Sequence, residues 1–138
     1  MIDQEAKSKY DIIAEMGQRL FEGGYVTSDF VESVLEREKQ FPTGLPTLPY
    51  GVAIPHTDTD KVVESKIAFA TLKEPVSFTV MGSSGIEIGV KIVFMLALKD
   101  AESQLSTLQK LIELVQDKES LTRLNGVKSA RQLNAIFN

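Results

Sequence analysis

The chain has 138 residues, of which 43% are hydrophobic and 25% charged, which is typical of one folded domain and not of a disordered segment. We therefore expect a single domain over residues 1–138 with no linker. The net charge of −4 and the lack of a Lys/Arg block argue against a surface for nucleic acid or anionic membranes.

Cysteine is absent and histidine occurs once, which excludes disulfides and thiolate chemistry and disfavours a zinc site. No apolar run reaches the roughly 18 residues of a membrane span, and the N-terminus lacks the pattern of a signal peptide. We expect a cytoplasmic protein without direct membrane insertion, metal or cofactor.

Two amphipathic helices are predicted in the first third of the chain. Apolar residues recur at helical spacing over residues 3–21, and the glycine pair at 23–24 supplies a stop. Residues 27–29 offer N-cap oxygens to a second helix, which should run to about Lys39. Arg37 lies in its last turn.

A shaped loop and a short strand follow. Three prolines and a glycine mark residues 40–50 as a loop, after which residues 52–54 form a brief apolar run. Pro55 should end this strand because it removes a ladder donor. The only histidine, His56, therefore lies at a strand end, where α/β proteins commonly place reactive groups.

The middle of the chain predicts the remaining strands. Residues 67–72 alternate as a strand, and Glu74-Pro75 should turn the chain into residues 76–80. The glycines of residues 82–85 indicate a flexible turn. Residues 90–98 are almost uninterruptedly apolar and predict a central strand covered on both faces.

Helices should complete the domain. An amphipathic helix is predicted over residues 101–116, then a short one that Gly126 closes. Ser129 and Gln132 have capping-box spacing for a last helix. Strands grouped between helices predict a three-layer α/β/α sandwich with a mixed central β-sheet.

His56 is the leading candidate nucleophile. A neutral imidazole is available near pH 7, and the polar residues 57–60 can orient one ring nitrogen while the other attacks. A lone histidine beside a polar loop is, on general grounds, more often a surface or hydrogen-bonded residue. From the residues alone both interpretations stay open.

Asp58 and Asp60 raise the alternative of a metal site of the form His-x-Asp-x-Asp. One histidine with two carboxylates fits few metal sites, and the chain has no second histidine to complete one. We favour a solvated loop that repels wrong partners.

Three segments carry a family resemblance. Arg37-Glu38, Pro42-Thr43-Gly44 and Gly51–His56 resemble the enzyme IIA family of the bacterial sugar phosphotransferase system, fructose/mannitol type. The resemblance extends over most of the chain, into the helix at residues 105–115. The insertion between Thr43-Gly44 and the His56 strand is most similar to the galactitol-type subgroup.

The resemblance implies a phosphocarrier. The phosphorylated protein HPr would donate to His56, which would pass the group to a cysteine of an enzyme IIB. Because this chain has no cysteine, that acceptor must be another domain or chain. The membrane component enzyme IIC would bring in the sugar. A regulatory phosphohistidine module of the nitrogen-related type is the alternative, and a domain that binds partners without transfer is a third class.

The resemblance also implies roles for other residues. Arg37 would stabilise the phosphoryl oxygens; without the family match, complementing its helix C-terminus is an equal interpretation. Thr43 and Thr57 would hydrogen-bond the phosphate or shape their loops, the latter being favoured for Thr57. Gln104 matches the position of a second family histidine. It can contact phosphate or imidazole but carries no charge, which favours the galactitol-type subgroup.

Family members also open with a strand before the first helix. Residues 1–3 leave little room for it, so a short sheet edge is expected there. The sugar, the ring nitrogen that reacts and the oligomeric state do not follow from the sequence.

Overall fold

The computed structural model describes residues 1–129 and 131–133. Within them, helices lie on both sides of a central group of strands. The elements are α1 (Lys9–Glu22), α2 (Phe30–Gln40), β1 (Gly44–Leu45), β2 (Gly51–Ala53), β3 (Lys66–Thr79), β4 (Glu87–Ala97), α3 (Ala101–Val115) and α4 (Lys118–Asn125).

The four strands form one mixed sheet in the order β1-β2-β4-β3. Strands β2 and β4 are parallel, whereas the other two pairs are antiparallel. The predicted core strand is confirmed as β4, which lies between two neighbours. Because β2 and β4 are parallel, their carboxyl ends share one edge of the sheet. His56 and the start of α3 therefore lie at the same edge.

Each face of the sheet has its own apolar core, which confirms the three-layer α/β/α arrangement. Helices α1 and α2 supply one core against the alternate residues of β3 and β4, including Ile13, Met16, Phe30, Phe78 and Met95. Helices α3 and α4 cover the other face, in a core that includes Leu111, Val115, Leu121, Phe94 and Leu96. Each fully buried large apolar side chain contributes about 1.5–3 kcal/mol to folding.

The first helix starts later than predicted. It begins at Lys9, where the Ser8 hydroxyl accepts a hydrogen bond from the Asp11 amide at 3.3 Å. The preceding residues instead lie along the outer edge of β3, where the Gln4 amide donates to the Thr71 carbonyl at 2.8 Å. A single bridge forms there, between Gln4 and Leu72.

Two predicted boundaries in the sheet were wrong. The turn at Glu74-Pro75 is a bulge within one continuous strand, because β3 keeps its pairing with β4 on both sides of a register shift. A bulge tolerates a proline that has no amide hydrogen to donate. The predicted loop 40–50 also contains β1, a two-residue strand antiparallel to β2. Its pairing partner lies outside the segment, so local sequence did not indicate it.

The C-terminal predictions agree with the structure as far as it is described. Helix α4 ends before Gly126, and the Gln132 amide donates to the Ser129 hydroxyl at 3.2 Å, as a helix cap would. Ile136 and Phe137, predicted for the last helix, lie outside the described residues. No helix in the described ranges is long and apolar enough to cross a membrane.

Candidate active site

His56 lies just beyond β2, with its ring orientation set by the backbone. Its Nδ1 lies 2.8 Å from the Ile54 carbonyl oxygen. Because a carbonyl only accepts, Nδ1 carries the hydrogen and Nε2 keeps its lone pair. Burial lowers the pKa of the imidazole, the Ile54 contact opposes this shift, and the Arg37 charge lowers the pKa further. A neutral ring with a nucleophilic Nε2 is therefore the form present at neutral pH.

The backbone that carries His56 is held on both sides. The Ile54 amide donates to the Thr43 carbonyl at 3.3 Å, and the Leu96 amide donates to the Pro55 carbonyl at 3.1 Å. These bonds continue the pairing of β2 with its two neighbours past the end of the strand. The histidine thus extends from a rigid sheet edge.

Thr57 is buried and connects the loop to a helix on each face of the sheet. Its hydroxyl hydrogen-bonds to the Ser33 hydroxyl of α2, and its carbonyl accepts from Gln104 Nε2 of α3 at 2.9 Å. The hydroxyl thus has a partner within the protein, and the loop-shaping role that sequence favoured stays a prediction. Ser33 was missed, because an exposed-looking serine within a helix carries no distinctive signal.

Gln104 lies beside His56, and both side chains line one cavity. Besides its bond to Thr57, its Oε1 accepts from the Leu98 amide at 3.4 Å. The side chain joins the end of β4 to the histidine loop. The first turn of α3 is itself capped, since the Ser103 amide donates to Asp100 Oδ2 at 3.0 Å.

Arg37 reaches the site from the last turn of α2. Its Nη1 is 3.5 Å from Asp58 Oδ1, and its guanidinium lies over the Phe41 ring, 5.3 Å from the centroid. Its Nε is buried with no hydrogen-bond partner among the described residues. An arginine with an unused donor next to a nucleophile is suited to bind oxygens of a phosphoryl group.

The cavity beside His56 measures about 260 Å³ and is open to solvent. It combines a polar wall with an apolar one. The lining includes Arg37, His56, Asp58, Gln104, Leu105 and Leu108. Leu105 is exposed although it is a large apolar side chain. Sequence analysis placed Leu105 and Leu108 only within the amphipathic helix predicted over residues 101–116, so their place on the cavity wall was not anticipated.

Thr43 is the one proposed site residue that the structure sets apart from this cavity. It is buried, and its amide and hydroxyl donate to Glu38 at 2.8 and 2.7 Å. Burial raises the pKa of the Glu38 carboxyl, although the bonds from Thr43 act in the opposite direction. This pair joins α2 to the segment that supports Ile54, a structural part of the Arg37-Glu38 motif.

The two aspartates after His56 face cations. Asp58 pairs with Arg37, and Asp60 Oδ2 lies 4.0 Å from Lys61 Nζ, within a 3-10 turn over Thr59–Lys61. Within residues 1–129 and 131–133, no group of three or more His, Cys, Asp or Glu is arranged to hold a metal ion.

This geometry agrees with what the chain resembles in known families. A family model described as "Phosphoenolpyruvate-dependent sugar phosphotransferase system, EIIA 2" matches residues 1–138. The chain belongs to this family, whose members are phosphotransferases. The predicted fructose/mannitol type is thereby confirmed at the level of the family.

Two curated relatives come from Bacillus subtilis. The transcriptional regulator ManR is 40% identical over 113 residues, and the mannitol-specific phosphotransferase enzyme IIA component is 31% identical over 144 residues. These matches take in 82% and 99% of this chain. The chain spans only 16% of the length of ManR but 91% of the mannitol component.

Solved structures share the fold. The mannitol IIA of Escherichia coli superposes with a TM-score of 0.78 at 25% identity, over 99% of this chain and 95% of that one. A complex of that IIA with phosphorylated enzyme IIB gives 0.75 at 25% identity, over 98% and 92%. The nitrogen regulatory protein IIA-Ntr of Neisseria meningitidis gives 0.75 at 29% identity, over 99% and 91%.

Proposed function

We propose that this protein is a cytoplasmic phosphocarrier in which His56 Nε2 accepts a phosphoryl group from phosphorylated HPr and passes it to a cysteine of an enzyme IIB. The observation that carries the proposal is the contact of Nδ1 with the Ile54 carbonyl. It leaves Nε2 as the free nucleophile, beside an arginine and an open cavity.

The transfer needs alignment and charge stabilisation more than covalent chemistry. The Nε2 lone pair forms a bond to phosphorus while the phosphorus–nitrogen bond of the donor histidine breaks. The hydrogen on Nδ1 stays in place, so the product ring is a cation that the Ile54 carbonyl stabilises. Arg37 balances the charge on the phosphoryl oxygens.

In the second step, the thiolate of the acceptor attacks the same phosphorus atom and the Nε2–phosphorus bond breaks. His56 then regains its lone pair and its neutral form. The open cavity with the exposed Leu105 on its wall leaves room for a partner protein to approach. The mannitol IIA of Escherichia coli has the same fold as this chain, and its structure was solved in complex with phosphorylated enzyme IIB. This similarity supports an enzyme IIB as the partner.

The sugar is a finer question. The galactitol-type subgroup suggested by the insertion and by Gln104 stays a prediction, and relatives named as mannitol-specific support the broader class of sugars and sugar alcohols. Supplying matched pairs of IIB and IIC components for galactitol and for mannitol would distinguish them. Sugar phosphate should form only with the cognate pair.

The carrier role is tested by incubating the chain with phosphoenolpyruvate, enzyme I and HPr. Intact mass spectrometry should find one acid-labile phosphoryl group on the wild type and none on His56→Ala. Absence of this group on the wild type, with HPr itself phosphorylated, would contradict the proposal.

A regulatory role is the second candidate, favoured by the 40% identity to part of a transcriptional regulator and by the IIA-Ntr fold. In that role His56 carries the same phosphoryl group but reports it to a partner instead of passing it to a sugar. The carrier role and the regulatory role differ in the acceptor of the phosphoryl group. A carrier transfers the phosphoryl group from His56 to an added enzyme IIB. A regulatory module would bind its partner in only one phosphorylation state. It would also keep the phosphoryl group on His56 in the presence of every enzyme IIB. A domain that only binds would retain its partner after His56→Ala.

A further inference from the structure

Asp58 is the acidic residue on the wall of the His56 cavity, within the part of the chain that the structure describes. Its carboxylate contacts Arg37 at 3.5 Å, and the side chain is 77% exposed. Arg37 is also the cation that would bind the phosphoryl oxygens. Asp58 and a phosphoryl group on His56 therefore compete for one guanidinium.

The other contacts of Arg37 would survive such an exchange. Phe41 lies against the face of the guanidinium, and the buried Nε adds a donor with no described partner. Since these features do not depend on Asp58, the guanidinium can stay in place when its counter-ion changes.

We propose that Asp58 is a positioning residue that holds Arg37 while His56 is unmodified and raises the phosphoryl-transfer potential of phosphorylated His56. This inference rests on the carrier function proposed above.

The effect follows from the charges in the two states. In the unmodified protein the Arg37–Asp58 pair is stabilising. When the Nε2–phosphorus bond forms and the bond to the donor breaks, the dianionic phosphoryl group takes over Arg37. Asp58 then loses its partner and repels the new charge. Both changes favour the unmodified protein, so the phosphoryl group moves more readily to an acceptor thiolate.

Nearby charges supply a matched control. Asp60 lies in the same loop and is 72% exposed, but its neighbour is Lys61, which also binds Asp29 at 2.8 Å. Glu32 and Glu36 of α2 line an adjoining cavity that shares Arg37 and Asp58, whereas α3 presents the uncharged Gln104 to His56. Asp60→Asn therefore removes the same charge from the loop without touching Arg37.

The experiment measures the equilibrium constant for phosphoryl exchange with HPr. Asp58→Asn should shift it about two- to fivefold toward phosphorylated His56, the size expected for an exposed ion pair. The shift should shrink in high salt. Asp60→Asn should leave the constant near the wild-type value.

The route through Arg37 is tested in a double-mutant cycle. In the Arg37→Gln background, Asp58→Asn should give a smaller shift than in the wild type, because only the direct repulsion of the phosphoryl group remains to be relieved. An equal shift with and without Arg37 would overturn the competition, as would equal constants for wild type and Asp58→Asn.

A donor that needs no partner protein separates this inference from the carrier function. Phosphoramidate transfers its phosphoryl group to histidine with release of ammonia, and ³¹P NMR then follows ionisation of the phosphoryl group. Asp58→Asn should lower that pKa relative to wild type and Asp60→Asn, because a neighbouring negative charge disfavours the dianion. Loading by phosphoramidate but not by HPr would contradict the carrier function alone. Loading by neither would overturn both.

Discussion

Two loops at the ends of strands in this protein are stabilised in different ways. The tip of the β3–β4 hairpin, residues 80–86, is closed mainly by its own residues: the Val80 amide donates to the Ile86 carbonyl at 2.7 Å, and the Ser83 hydroxyl donates to the Val80 carbonyl. The histidine loop, residues 54–61, has partners spread from Thr27 to Gln104.

The difference shows that the protein fixes the position of the histidine loop more firmly than that of the hairpin tip. Ordering a residue costs about 1–2 kcal/mol in backbone entropy, which the histidine loop offsets with contacts to both neighbouring strands and to helices on both faces. Its geometry is therefore a property of the whole domain. The conformation of the hairpin tip depends mainly on its own turn residues. Substitutions in the two loops should therefore have different effects on stability and on phosphoryl transfer.

The largest expected effect comes from removing the cation beside the nucleophile. Arg37→Gln should slow phosphoryl uptake from HPr by about 100-fold, since loss of one oxyanion-stabilising group costs about 2.7–4 kcal/mol in comparable sites. Rapid-quench measurement of phosphorylated protein gives the rate. Arg19→Gln, which removes an arginine paired with Glu15 on α1, is the control and should stay near wild type. A similar loss in both variants would contradict the assignment.

Replacing a glycine by alanine should cost more free energy of unfolding next to the histidine loop than at the hairpin tip. Gly44 pairs with Ala53, just before the histidine loop, and its carbonyl also accepts from the Met81 amide of the hairpin tip at 2.8 Å. A Cβ on Gly44 would lie 2.6 Å from the Thr79 carbonyl oxygen. Because backbone must move, Gly44→Ala should lower the free energy of unfolding by about 2–3 kcal/mol. Gly82 has a φ of 75° but open space around it, so Gly82→Ala should cost only about 1 kcal/mol. Urea denaturation measures both, and the reverse order would contradict this account.

A smaller effect is expected from removing the hydrogen bond between Gln104 and the histidine loop. Gln104→Leu removes the donor to the Thr57 carbonyl, which should cost about 1 kcal/mol and slow phosphoryl uptake about fivefold. Gln109→Leu changes an exposed glutamine of the same helix and is the matched control. If uptake is unchanged in Gln104→Leu, the hydrogen bond from Gln104 to the Thr57 carbonyl does not position His56.

The smallest effect concerns proton binding by the only histidine. Burial and the Arg37 charge should keep the pKa of His56 below the value of about 6.5 for an unperturbed imidazole. The ring protons can be followed by NMR without ambiguity, with the urea-unfolded chain as reference. Since the unfolded chain binds the proton more readily, stability should fall as the pH drops from about 6.5 toward the folded pKa. A folded pKa at or above the reference would contradict this.

Much of the architecture could be predicted because its signals are local. The apolar run of β4, the amphipathic periodicity of α3 and the stop at Gly126 each became an observed element or boundary. The errors arose where distant pairing overrode local chemistry. Pro75 indicated a turn but lies in a bulge that β4 holds in the sheet, and the strand β1 exists only because β2 lies beside it.

The site shows the same division. Sequence singled out His56, Arg37, Thr57 and Gln104, and the structure brings all four to one cavity; their chemical roles there stay predictions. Thr43 was grouped with them, but it is bound to the buried Glu38. Residue type and spacing do not reveal which way a threonine hydroxyl points, because that depends on a side chain from another element.

The sequence by itself determined the chemical groups at hand: one imidazole after a short apolar strand, an arginine at a helix end, and no thiol. Only the folded structure decided which imidazole nitrogen is free, because the Ile54 carbonyl accepts a hydrogen bond from Nδ1. It alone also set Asp58 against Arg37, since that contact depends on how α2 packs beside the loop. The direction of the His56 bond depends on the rotamer that its side chain adopts in the folded loop, and the Arg37–Asp58 pair depends on the distance between two separate segments. Both exist only in the folded domain.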